Sequence, residues 1–189
     1  TEANFDSFMQ RVNDKFRALR IGIPDQDADL GPVINARQRE RVLRYIEENR
    51  AAGVPIMVQT DMPPSLPADG YFVPPTVFGP VDPQSRLAQE EVFGPIGAVM
   101  GFDSDDEAIA IANDSNFGLS GGIFSADVGT AFEMALQLRT GGVSINGGAG
   151  TMQSEAPFGG IKRSGYGREY GVDGLNEFTY QKTISFHGA

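Results

Sequence analysis

Glu90 and Glu91 stand side by side in Gln89-Glu90-Glu91-Val92-Phe93-Gly94-Pro95-Ile96. An ionised carboxylate accepts hydrogen bonds and donates none. Placed at the entrance to a strand, it can take two of them from a vicinal diol such as a ribose. Phe93, two residues beyond Glu91, points to the same side of an extended backbone and can pack beside such a ring. By itself the stretch also reads as a solvated loop, and both readings stand at this point.

Other chemistry is scarce. The 189 residues contain no cysteine and one histidine, His187, which lies close to the end of the chain where a frayed tail is expected. No Cys, His and carboxylate cluster has metal-ligand spacing, so no metal site is expected. The alternating acids of Asp25-Gln26-Asp27-Ala28-Asp29-Leu30-Gly31 invite a calcium-loop reading. It fails, because Leu30 stands where the sharp turn needs glycine and Ala36 where a bidentate glutamate is required. A net charge of -10 argues against nucleic-acid and anionic-membrane surfaces, which need clustered Lys and Arg. The start, Thr1-Glu2-Ala3-Asn4, lacks signal-peptide character, no apolar run approaches membrane-helix length, and no disulfide can form; a cytoplasmic chain is expected.

The elements that must position these groups follow from periodicity. Phe5, Phe8, Met9, Val12, Phe16 and Leu19 form one helical stripe. Asn35 caps a helix, with Gln38 completing a capping-box-like start, and the helix runs through Val42, Tyr45 and Ile46 to stop near Gly53. Residues 54–59 read as a strand, and the prolines after Met62 can continue neither element. From residue 96 the pattern is β-α-β-α-β. A strand over 96–102 leads to a helix opened by Ser104-Asp105-Asp106-Glu107, then a strand over 121–125. A helix carrying Ala131, Met134, Ala135 and Leu138 follows, then a strand over 143–146. Short strands joined by helices of this length predict an α/β fold with a parallel, Rossmann-like sheet and flanking helices. Residues 177–186 alternate as a last strand, which must find its partner elsewhere in the chain or across an interface. Gly165-x-Gly167-x-x-x-Gly171 resembles a dinucleotide fingerprint only superficially, since its last spacing is wrong and no strand precedes it.

Four stretches occur in one order: Gly70-Tyr71-Phe72-Val73-Pro74-Pro75-Thr76-Val77-Phe78, then Glu90-Glu91-Val92-Phe93-Gly94-Pro95, then Ala112-Asn113-Asp114-Ser115-Asn116-Phe117-Gly118-Leu119. The fourth is Pro157-Phe158-Gly159-Gly160-Ile161-Lys162-Arg163-Ser164-Gly165-Tyr166-Gly167-Arg168-Glu169. Together they resemble the C-terminal half of the catalytic region of the NAD(P)-dependent aldehyde dehydrogenase superfamily, from about residue 5 to residue 186. The resemblance implies oxidation of an aldehyde to a carboxylic acid. A cysteine thiolate attacks the carbonyl, the hemithioacetal passes hydride to NAD or NADP, and a glutamate-activated water hydrolyses the thioester. It further implies that Glu91 binds the nicotinamide ribose hydroxyls, Phe93 packs beside that ribose, and Leu119 and Phe158 line the nicotinamide–substrate junction. Glu169 matches a carboxylate proposed as a proton relay, and a structural pairing of Glu169 with an arginine is an equal alternative.

Two departures accompany the resemblance. The nucleophilic Cys and general-base Glu belong before Thr1, so the chain is expected to be part of a longer enzyme and inactive alone. Residues 147–156, between the Val-x-Asn strand end and Pro157, contain no aromatic, and Met152 is their only large apolar residue; a wide pocket mouth for bulky or polar-tailed aldehydes is expected. The expected division is 1–170 for the catalytic portion and 171–189 for an oligomerisation segment whose strand, Phe178–Phe186, pairs with a second copy. The alternative is a non-catalytic α/β binding or assembly module.

Overall fold

The Asn35 side chain accepts a hydrogen bond from the Gln38 amide (2.9 Å), and helix α2, Ala36–Ala51, starts there as its sequence dictates. In this computed structural model, which describes residues 2–147 and 153–188, the chain forms two compact units, Thr1–Ser104 and Asp105–Ala189.

In the first unit α1 (Glu2–Arg17) and α2 cover a three-stranded sheet of β1 (Ile56–Gln59), β2 (Thr76–Phe78) and β3 (Ile96–Ala98). β2 is central, antiparallel to β1 and parallel to β3. Successive side chains of a strand face opposite sides. Val77 accordingly joins Met9 of α1 and Val58 of β1 in one cluster, while Phe78 joins Val42, Tyr45 and Ile46 of α2 in another. Burial on both faces explains why all three residues of β2 are apolar or, at Thr76, internally bonded: Thr76 Oγ1 donates to the Pro74 carbonyl and accepts from Gln59 Nε2. Phe5 and Phe16 pack against the Met9 cluster, whereas Phe8, at the edge of the predicted stripe, is left 53% exposed.

The second unit contains α4 (Asp105–Asn113), β4 (Phe117–Gly118), β5 (Ser120–Ile123), α5 (Val128–Gln137), β6 (Gly142–Ile145), β7 (Ile161–Lys162) and α6 (Gly171–Asn176); α3 (Arg86–Gln89) belongs to the first. β5 and β6 pair in parallel across α5, as predicted, and β4 pairs antiparallel with β7. The α/β class with parallel strands holds. Among the described residues, the expected run of one continuous β-α-β-α-β sheet is replaced by three separate sheets: β3 pairs with β2 and ends at Ala98, short of the predicted Phe102. Residues 177–188 form no strand within the chain, and their alternation stands on the surface, with Phe178 and Phe186 each about nine-tenths exposed. A strand exists only where a second backbone completes its hydrogen bonds, and none of the described residues does so here.

Candidate functional site

Residues 90–95 lie between α3 and β3 and are held from below by α2. Gln38 Nε2 donates to the carbonyls of Val92 (2.7 Å) and Phe93 (2.8 Å), and an Arg41 Nη2 proton reaches the Glu91 carbonyl (2.8 Å). Three successive carbonyls are thus tied to one helix face. Gln38 therefore does not close the capping box expected of it; only the Asn35 half forms, because the amide is engaged across the fold. The approach is close enough to demand glycine at the turn: a Cβ on Gly94 would lie 2.5 Å from Val42 Cγ2.

Phe93 has φ +54°, a left-handed conformation that costs a non-glycine residue roughly 1–3 kcal/mol. The extended-backbone argument for its direction does not apply, since the chain turns at this residue. What results is a ring 73% exposed to solvent beside Glu91, whose own carboxylate is exposed and meets no hydrogen-bond donor among the described residues.

Glu90 faces the other way. Its carboxylate accepts from Arg86 Nε (3.0 Å) and Nη2 (3.2 Å) and from the hydroxyl of Tyr45. Arg86 and Tyr45 hold the Glu90 carboxyl down at about 2, while desolvation and the neighbouring Glu90 raise the Tyr45 phenol above its ordinary range. The guanidiniums of Arg41 and Arg86 stand 5.2 and 5.3 Å from the centre of the Tyr45 ring, and Arg86 Nη1 also bridges to Glu48 (3.1 Å). The adjacent glutamates of the motif thus divide: Glu90 anchors the loop, and the Glu91 carboxylate stays exposed. Sequence reading missed Gln38, Arg41, Tyr45 and Arg86 in this role. Tyr45 carried a signal, an aromatic hydroxyl on an otherwise apolar helix face, which when buried requires a partner.

In the second unit Phe158 and Glu169 exchange two backbone hydrogen bonds, 2.8 and 2.7 Å long, as an antiparallel bridge. Glu169 is exposed and pairs with no arginine among the described residues; Arg168 instead donates to the carbonyls of Gly160, Tyr166 and Gly167. Leu119, between β4 and β5, is 40% exposed. Gly141 packs against the backbones of Leu119 and Gly159: a Cβ there would sit 3.0 Å from the Leu119 carbonyl oxygen and 1.6 Å from that of Gly159. Lys162 Nζ donates to the Asn113 and Ser115 carbonyls, each at 2.9 Å, and so ties the Pro157–Glu169 stretch to the C-terminal end of α4, where a cation is favoured. Met152, on which the expected wide pocket mouth turns, lies outside the described residues.

The model of the aldehyde dehydrogenase family matches residues 1–184. A betaine aldehyde dehydrogenase of Rhizobium johnstonii is 40% identical over 180 residues, covering 95% of this chain and 37% of its own length. A putative aldehyde dehydrogenase from Burkholderia cenocepacia superposes with a TM-score of 0.91 at 39% identity, over 96% of this chain and 38% of that one. Mycobacterium tuberculosis aldehyde dehydrogenase, crystallised with NAD+, superposes with a TM-score of 0.89 at 39% identity, over 95% and 37% of the two chains. The chain therefore spans little more than a third of the length of these relatives.

Proposed function

The chain belongs to the aldehyde dehydrogenase family, and from that premise we propose that it supplies the nicotinamide-facing part of an enzyme oxidising an aldehyde to a carboxylic acid with NAD or NADP. The observation that carries this reading is the loop over 90–95. Its carbonyls are fixed by Gln38 and Arg41, and its Glu90 is held by Arg86 and Tyr45, yet Glu91 and the Phe93 ring remain turned to solvent. A carboxylate with both oxygens free, on a backbone already ordered, fits a ribose diol at little further entropic cost. When bound, the nicotinamide accepts hydride from the substrate. Glu91 orients its ribose, Phe93 packs beside the sugar, and Leu119 and Phe158 line the junction with the aldehyde. Glu169 relays protons to the general base.

The thiol nucleophile comes from outside these 189 residues, which hold no cysteine. The aldehyde is of the bulky or polar-tailed class, a reading supported by the lack of any aromatic over 147–156 and by the betaine aldehyde dehydrogenases among the relatives. The segment Phe178–Phe186, whose Phe178, Tyr180, Ile184 and Phe186 are all exposed, adds as an edge strand to a second copy; sedimentation of a monomer at high concentration would count against it.

The test is Glu91→Gln in a dehydrogenase assembled from this chain and a cysteine-bearing N-terminal portion. Hydrogen bonds to a charged acceptor are worth about 1.5–3 kcal/mol. The variant is expected to lose about 10–100-fold in kcat/KM for the cofactor. Unchanged cofactor kinetics would remove Glu91 from the site, and a preference for acetaldehyde over longer substrates would overturn the substrate class.

A further inference from the structure

Beside Tyr45, next to the loop over 90–95, the side chains of Arg41, Arg44, Tyr45, Glu48 and Arg86 line a cleft of about 290 Å³. It gathers guanidiniums in a chain of net charge -10. Arg41, Arg44, Tyr45 and Glu48 fall at helical spacings of three and four, so one face of α2 presents them together.

The acids in the cleft are already neutralised. Arg86 binds Glu90 through Nε and Nη2 and Glu48 through Nη1. Arg41 uses Nη2 alone, toward the Tyr45 hydroxyl and the Glu91 carbonyl. The Nε and Nη1 protons of Arg41, and every side-chain donor of Arg44, meet no acceptor among the described residues. What remains to be satisfied is a set of cationic donors, of which the Arg41 guanidinium stands over the Tyr45 ring. A complementary ligand must bring negative charge and several acceptors on one centre. Guanidinium forks match tetrahedral oxyanions in this way, and match them better than an ammonium does. The volume lies at the lower edge of small-molecule sites, about 300 Å³, which suits a phosphate or phosphate monoester and excludes a dinucleotide.

We propose that this cleft is an anion site for a phosphate dianion, free or as the end of a small phosphorylated metabolite, held by Arg41 and Arg44, with the Tyr45 ring backing the Arg41 guanidinium. Nothing in the dehydrogenase reading calls for it, and it stands on the first unit's geometry alone. Because Arg41 also holds the Glu91 carbonyl, an occupant would share a residue with the loop over 90–95.

The experiment is a titration of the ¹⁵N-labelled 189-residue chain at constant ionic strength, read on arginine and backbone resonances of α2. One arm uses inorganic phosphate, a second glycerol 3-phosphate, and a third sodium chloride. Saturable shifts with both phosphates and none with chloride are expected. Tighter binding of the monoester identifies a metabolite as the occupant, and equal binding identifies free phosphate. Arg44→Gln, which removes a side chain making no bond to the described residues, should weaken binding at least tenfold and leave the remaining spectrum in place. Arg37→Gln, an exposed arginine of the same helix that does not line the cleft, should leave affinity unchanged. Shifts that do not saturate, that chloride reproduces, or that survive Arg44→Gln overturn the proposal.

Discussion

Gly141→Ala is expected to destabilise the unit Asp105–Ala189 by about 3 kcal/mol or more, at or above the top of the usual range for overpacking. A methyl on this residue would lie 1.6 Å from the Gly159 carbonyl oxygen, 2.8 Å from its carbon and 3.0 Å from the Leu119 carbonyl oxygen. All three are backbone atoms, so no rotamer change relieves the clash. The Gly141 amide also donates to the Gly118 carbonyl at 3.0 Å, which keeps it from backing away toward the other side. Something larger must give, and the weakest attachment is the stretch from Pro157 onward. That stretch is joined through the two paired positions of β4–β7, the Lys162 bonds and single bonds from Gly118 to the Ser164 hydroxyl and from Arg163 to the Asn116 carbonyl, whereas β5 and β6 share four paired positions.

The expected result in a thermal melt is a drop of about 10–20 °C for a unit of this size. In hydrogen exchange the amides of Phe158 and Glu169 should lose protection before those of β5 and β6. Gly142→Ala is the control: a methyl there meets nothing within 4 Å, and the melt should not move downward. A Gly141→Ala protein that melts with the parent would mean that the Leu119 and Gly159 backbones are not packed on Gly141.

The contrast between these neighbouring glycines shows what a sequence can and cannot disclose. The two are adjacent in sequence at the entry to β6, which begins at Gly142, beyond the end of α5 at Gln137. Which of them another backbone touches depends on Gly159, eighteen positions away, and no local pattern encodes that. The same division runs through the first unit. Asn35 and its helix, the apolar stripe of Val42 and Ile46, and the parallel pairing of β5 and β6 follow from caps and periods within a few residues. Gln38 to Val92 and Tyr45 to Glu90 span more than forty residues each, and they turned out to fix the candidate site.

Local reasoning even pointed the wrong way at Gln38, where a capping-box spacing competed with a distant pair of carbonyls and the carbonyls won. Phe93 was misdirected for a related reason. Alternation along a strand presumes extended backbone, and tertiary hydrogen bonds hold this residue at a positive φ instead. The motif order, by contrast, was legible without any of this geometry, because the spaced stretches identify the family jointly even where each is ambiguous.

The purified 189-residue chain, given NAD or NADP and an aldehyde, is expected to form no reduced cofactor above the uncatalysed rate. Covalent aldehyde oxidation needs a nucleophile, and removing the nucleophile from an enzyme of this kind costs on the order of 10⁴–10⁶-fold. The chain has no thiol. A serine or threonine hydroxyl could substitute only with a base beside it, and the sole imidazole, His187, is exposed in the tail. Absorbance of the reduced nicotinamide at fixed chain concentration is the measurement, over a panel that includes long and polar-tailed aldehydes. Turnover that co-purifies with the chain through a second column would sink the expectation, and its consequences would be unequal. Leu119, Phe158 and Glu169 were assigned around a thioester, so their roles would fall with it. Glu91 would keep its role, because accepting two hydrogen bonds from a ribose requires no nucleophile, only an ordered loop and a free carboxylate.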